Sequence, residues 1–141
     1  MAAEDQVRAA SEEFYAALNR MLAGDARSLG DIWSHSPTVT AMHPIGDWHV
    51  GWDDVKSTFD EVAKASTGGQ VWITDQLIRV AEDMAYEVGM EHAEFAIDGQ
   101  PLTVQSRVTN VYRREQGAWK IVHHHGDKSP GISEALERSQ S

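Results

Sequence analysis

The chain has 141 residues, 41% of them hydrophobic and 24% charged, with no cysteine and a net charge of −10 at neutral pH. That length suits one domain spanning 1–141, and the missing thiols exclude disulfides and thiolate chemistry. The acidic excess repels phosphate backbones, so nucleic acid is not an expected partner; no apolar run approaches the roughly 20 residues of a membrane span; and the opening "MAAEDQVRAA" lacks a basic-then-apolar leader, which sets the expectation of a cytoplasmic protein.

Residues 4–23 predict an amphipathic helix, with Val7, Phe14, Leu18, Met21 and Leu22 on one face and Gly24 as its stop. Residues 25–34 predict a short second helix with Asp25 at its N-cap and Ile32 and Trp33 at its buried end. "TVTAMHP" (38–44) predicts a short edge strand closed by Pro44, and "IGDWHVG" (45–51) a loop or hairpin. Residues 52–66 predict a helix whose apolar face holds Trp52, Val55, Phe59 and Val62. Asp53 and Asp54 stand in its first turn, where the helix dipole favours anions.

From residue 70 the pattern is β. Strands are predicted over 70–80, 84–97, 101–114 and 118–126, separated by the turn sequences "AED", "DGQ" and "EQG". Residues 128–141 read as a polar tail with a helical turn or two. Helices early and strands late argue for an α+β fold with a largely antiparallel sheet curled around the N-terminal helices into a cone.

Two segments resemble a known family. "VYRREQGAWKIVHHH" is similar to the last hairpin of the nuclear transport factor 2-like (NTF2-like) superfamily, closest to its SnoaL-like branch and to the association domain of calcium/calmodulin-dependent protein kinase II. "SHSPTVTAMHPIGDWHVGWDDV" resembles the segment before the third helix of SnoaL-like proteins. The resemblance covers roughly residues 5–127. It implies a cystatin-like cone, a pocket, and a homodimer packed through the sheet. The superfamily holds isomerases, cyclases and dehydratases as well as scaffolds and binding domains, so the fold names no single activity.

Register sets which side chains enter the pocket. A turn at Gln116-Gly117 pairs Tyr112 with Ile121, Asn110 with His123 and Val108 with His125. The more apolar face then carries Asn110, Tyr112, His123 and His125 inward and His124 outward. An Asp98-Gly99 turn pairs Phe95 with Leu102, Ala93 with Val104 and Glu91 with Ser106, placing Glu91 inward. A rough alignment with the kinase association domain points instead to His92, whose pocket arginine it would replace; the residues leave Glu91 and His92 as alternatives.

The candidate chemistry is proton transfer. His43, at the strand end near the mouth, and His125 are the candidate acid and base. Related isomerases use a buried aspartate, and Asp75 is the one aspartate inside a predicted strand. It faces inward if Val71, Ile73 and Leu77 do, and outward if Trp72, Ile78 and Val80 do. Asn110 and Tyr112 are candidate donors to an oxyanion, Trp33 and Trp48 candidate cavity walls, and His92 and His123 further ligand contacts. His123 and His125 have a spacing that suits zinc, with His43, His92 or Glu91 as a third ligand. No HExxH-like motif supports it, so no metal or cofactor is expected.

The expected function is a pocket for a small carbonyl-bearing or aromatic ligand, acting as an isomerase, cyclase or dehydratase. The alternative is a non-catalytic ligand-binding or dimerisation domain of the same fold. The face bearing Gln105, Arg107, Thr109, Val111, Val122 and His124 is the expected dimer contact.

Overall fold

A computed structural model describes residues 2–44 and 46–140; Ile45, the first residue of the predicted 45–51 loop, lies outside them. Helix α1 spans Ala3–Leu22, followed by one 3-10 turn at Arg27–Asp31, strands β1 (Thr40–Met42) and β2 (Trp48–Val50), and helix α2 (Trp52–Ala65). Four longer strands follow, β3 (Ser66–Ala81), β4 (Met84–Ile97), β5 (Gln100–Glu115) and β6 (Ala118–Gly126), and the chain closes on helix α3 (Pro130–Gln140). The curved six-stranded sheet has the order β2-β1-β6-β5-β4-β3, antiparallel throughout except for the parallel pair β1–β6. The α+β architecture is thus the expected one. β1 is interior to the sheet, however, because residues 48–50 supply the edge strand.

Helix α1 buries the predicted stripe, including Val7, Phe14, Leu18 and Leu22, against the inner sheet face. Each such side chain contributes about 1.5–3 kcal/mol. It ends at Gly24, whose φ of 103° lets the N–H groups of Gly24 and Asp25 turn back onto the carbonyls of Met21 and Arg20. Asn19 pins this helix to β3: its Oδ1 accepts from Val71 N at 2.7 Å and its Nδ2 donates to Val71 O at 3.1 Å. Asp25 Oδ1 accepts from Arg27 N at 3.0 Å, a local turn bond, whereas the cap position of the 3-10 turn is Ala26.

Two irregularities decide where side chains point. In β3 the register shifts between Thr74 and Leu77, with Asp75 left-handed at φ 56°. Val71 and Ile78 are both buried while Asp75 is exposed, so each half of the strand follows a different one of the two predicted phases. In β6 the turn at Gln116-Gly117 gives the predicted Tyr112–Ile121 pair, but the register then shifts by one: Val111 pairs with His123 and Asn110 with His124. Val122 is the extra residue. Beyond it the inward and outward positions exchange, so His124 is buried and His123 and His125 lie on the outer face.

The C-terminal segment is more ordered than a polar tail. Ile132, Ala135 and Leu136, spaced as one helical face, are buried, and α3 packs against α2, β4 and β5.

Candidate functional site

A cavity opens between α1, α2, α3 and the inner face of the sheet. Its walls are mainly apolar, with Leu18, Met21, Phe59, Phe95, Val104 and Ile132 among them; its polar members are His43, Thr58, Glu91, Ser106 and His124.

Behind His124 lies a polar network whose hydrogen-bond directions can be deduced. The Glu87 side chain is fully buried and accepts four bonds: Ser11 Oγ and Gln76 Nε2 donate to Oε2, and Asn110 Nδ2 and the Tyr112 hydroxyl to Oε1. Four donors fill the acceptor capacity of a carboxylate. Since the Asn110 amide nitrogen is turned to Glu87 at 2.9 Å, its Oδ1 faces His124 and accepts from Nδ1–H at 2.6 Å. Nδ1 therefore carries the proton of a neutral ring, and Nε2 is the bare nitrogen. Burial, then the neighbouring His43, hold the His124 imidazolium well below its ordinary pKa. At its outer end the network reaches the surface, where Arg8 Nη1 donates to Gln76 Oε1 at 2.6 Å.

His43 follows β1 and turns inward beside α2. Its ring centroid is 5.7 Å from that of His124 and 6.1 Å from that of His49. The Thr58 hydroxyl donates to Val55 O at 2.6 Å, so His43 Nε2 donates to Thr58 Oγ1, also at 2.6 Å. Its Nδ1 is then unprotonated. Burial, helped by His49, lowers the His43 pKa to about 4.

Glu91 is the acidic group of the cavity. It lies directly opposite Ser106 across β4 and β5, as the Asp98-Gly99 turn predicted. Its Oε2 and the Ser106 hydroxyl are both sealed from solvent without a protein partner. Burial, with a further push from Glu87, raises the Glu91 pKa to about 7. Two adjacent orphaned polar groups cost about 1–3 kcal/mol each, a cost that a bound water, ion or ligand would relieve.

Of the predicted site residues, the structure brings His43 to the cavity wall and Asn110 and Tyr112 to the network behind it. The other candidates lie away from that wall, and His125 and Trp48 line, together with His43, a second pocket. His123 and His125 point away from the cavity because of the Val122 bulge; His123 Nδ1 lies 2.7 Å from Thr40 Oγ1 on the outer face. His92 is also outward, stacked on Trp72 with centroids 5.3 Å apart and bonded to Thr74, which resolves the Glu91–His92 alternative for Glu91. Asp75 is exposed on its bulge. Trp33 is core, packed against Trp52 and Phe59, and Trp48 is 63% exposed on edge strand β2. His124, placed on the expected dimer face, is instead inside. Glu87, Ser106, Thr58 and His124 were missed as site residues; the inward phase that carries Glu91 also carries Glu87. Among the described residues, no cluster of three or more His, Asp or Glu is placed to hold a metal, and no helix is long and apolar enough to cross a membrane.

Comparison with known proteins supports this geometry at the level of fold. A structure of a candidate dehydratase of the NTF2-like family from Streptomyces avermitilis is 24% identical, with a TM-score of 0.79, over 89% of this chain and 95% of that one. A candidate calcium/calmodulin-dependent protein kinase type II association domain from Thiobacillus denitrificans is 26% identical, with a TM-score of 0.68, over 86% and 94%. Among curated proteins, the Arabidopsis thaliana F-box protein SKIP8 is 28% identical over 99 residues, 70% of this chain; the chain spans only 40% of that protein's length. Residues 7–129 match the SnoaL-like domain, and the chain belongs to that family, with the fold of the NTF2-like structures.

Proposed function

We propose that the cavity binds a small, largely apolar carbonyl compound and moves a proton at the carbon beside the carbonyl, as an isomerase, cyclase or dehydratase does. His124 Nε2 is the base, with Asn110 and Glu87 fixing its tautomer. Glu91, whose raised pKa of about 7 leaves a substantial protonated fraction at neutrality, gives its proton to the carbonyl oxygen as the enol forms, and the reverse transfers restore both groups. The observation that carries this reading is the unpartnered Glu91 carboxyl in an apolar cavity that also holds a bare imidazole nitrogen.

The test uses 2-tetralone in D2O, with deuterium uptake at its α-carbons followed by NMR. The protein should accelerate the exchange, and Glu91→Gln and His124→Asn should abolish the acceleration while remaining folded. No acceleration by the unaltered protein would remove the catalytic reading and leave a binding domain of the same fold.

The outer face also supports a homodimer. Leu77, Met84 and Tyr86 are 43%, 41% and 46% exposed there, in phase with Val88 on β4 and beside Val111 on β5. The small-molecule ligand and a cytoplasmic location belong to the same proposal.

A further inference from the structure

Strand pairing lines the side chains of the outer sheet face into rows. One row runs from Leu77 and Val88 through Thr109 and His125 to Met42 and Trp48, crossing all six strands; the next runs from Tyr86 and Val111 through His123 and Thr40 to Val50. Among the described residues, the exposed large hydrophobic side chains are Trp48, Val50, Leu77, Met84 and Tyr86, and all stand on this face, towards the two ends of the rows. His123 and His125 stand in the middle, on β6, with ring centroids 6.1 Å apart. The face spans about 24 Å from β2 to β3 and about 20 Å along β4 from Met84 to Met90. Two copies meeting over it cover about 1,000 Å2 between them, the area a specific interface must clear. An isologous contact matches a patch to itself. Since β6 and β5 are the two central strands, any twofold that lays the patch on its copy sets apolar ends on apolar ends. It also brings both copies of His123 and His125 together at the centre.

Among the described residues, that centre holds no free carboxylate to offset an imidazolium. The pair partners of the two histidines, Thr40 and Met42 on β1 and Val111 and Thr109 on β5, are uncharged. Asp127, the carboxylate that feels His125, is committed to Arg107 by bonds of 2.8 and 3.2 Å. Asp47 and Lys128, of opposite sign, share the second pocket with His125. Further along the face, Glu115 is committed to Arg113, His92 is held by Thr74 and Trp72, and Arg79 and Lys120 add positive charge. On the inner side of β6 lie only the imidazoles of His124 and His43. Four neutral imidazoles can pack at such a centre; four protonated ones repel in a partly desolvated contact.

We infer that the outer face holds a second copy of this chain in a pH-gated contact, made while His123 and His125 are neutral and released when they take up protons. The inference rests on the homodimer reading above and adds its regulation. The sign follows from linkage. The dimer binds these protons more weakly than the monomer, so association is intact above the ordinary histidine pKa near 6.5 and is lost as pH falls through and below it. Burial, then the adjacent His125, already holds the His123 pKa below its ordinary value in the single chain.

Sedimentation of the full chain at pH 7.5 and 5.5 reads the dimer dissociation constant, with the far-UV spectrum as the check on the fold. For the wild type the constant should rise by roughly tenfold or more at pH 5.5 while the spectrum holds. The double variant His123→Gln/His125→Gln should stay dimeric, its constant moving by less than about threefold. A wild-type constant that is the same at both pH values would overturn the inference and leave the homodimer reading in place. So would a double variant that weakens in acid as the wild type does or is already monomeric at pH 7.5, or a far-UV change shared by both proteins. A wild type that is monomeric at pH 7.5 removes the homodimer reading, and this inference with it.

Discussion

Asn110 Oδ1 stands 2.6 Å from His124 Nδ1, and on its other side the same amide donates to Glu87. One side chain therefore sets the tautomer of a buried imidazole and completes the shell of a buried carboxylate. Asn110→Leu preserves volume but leaves the His124 N–H without an acceptor and Glu87 short of one donor. At about 1–3 kcal/mol for each orphaned group, the variant should lose roughly 2–5 kcal/mol in urea unfolding. A loss under 1 kcal/mol would mean that the network is not held as described.

Glu91 imposes a pH dependence of definite sign. Its folded pKa of about 7 lies above its ordinary value of 4.5, so the folded state holds the proton more tightly than the unfolded chain. Below 4.5 both states are protonated and the group costs nothing. Between 4.5 and 7 the unfolded state ionises first and stability falls, by about 3 kcal/mol in total. His43, lowered from 6.5 to about 4, works in the opposite direction: its contribution is intact above 6.5 and lost as pH falls toward 4. The wild type therefore shows partly cancelling slopes, and Glu91→Gln removes one of them. Urea midpoints between pH 4.5 and 8 should rise more steeply with pH in the variant; parallel curves would show that Glu91 is not buried as found.

Gly69 sits at the first bulge of β3 with φ at 149°, where an added Cβ would overlap Glu94 O and Phe95. Backbone strain and the overlap act together. Gly69→Ala should cost about 3 kcal/mol or more in thermal or urea unfolding. Gly99→Ala meets only the turn's φ of 80° and open space, so it should cost distinctly less.

Tyr86→Arg tests the proposed dimer. A charge in the middle of the outer face, beside Arg79 and Val111, should convert a dimer to a monomer in light scattering without changing the far-UV spectrum. A monomeric wild type would remove that proposal.

The fold was legible where turn chemistry was explicit. Asp98-Gly99 and Gln116-Gly117 both adopt the left-handed conformation that two-residue hairpin turns require, and from them the Glu91–Ser106 and Tyr112–Ile121 pairs follow. The Val122 bulge has no such marker, because an extra β-branched residue looks like any other strand residue. What distinguishes the two registers is tertiary: Asn110 and Glu87 provide a polar socket for whichever histidine faces in. The Asp75 bulge did carry a signal, since aspartate tolerates the left-handed region better than most residues. The closing helix was foreshadowed by Ile132, Ala135 and Leu136, whose spacing matters more than the polarity of the residues between them.

The run His123-His124-His125 gives the last strand a form of redundancy. A one-residue slip of the ribbon beyond Val122 would still leave an imidazole at the Asn110 socket, with another available on the opposite side. Triplication thus protects the chemical identity of the inner position against a one-residue slip of the strand. The safeguard lies in the repetition of the side chain, independent of how firmly the backbone is held.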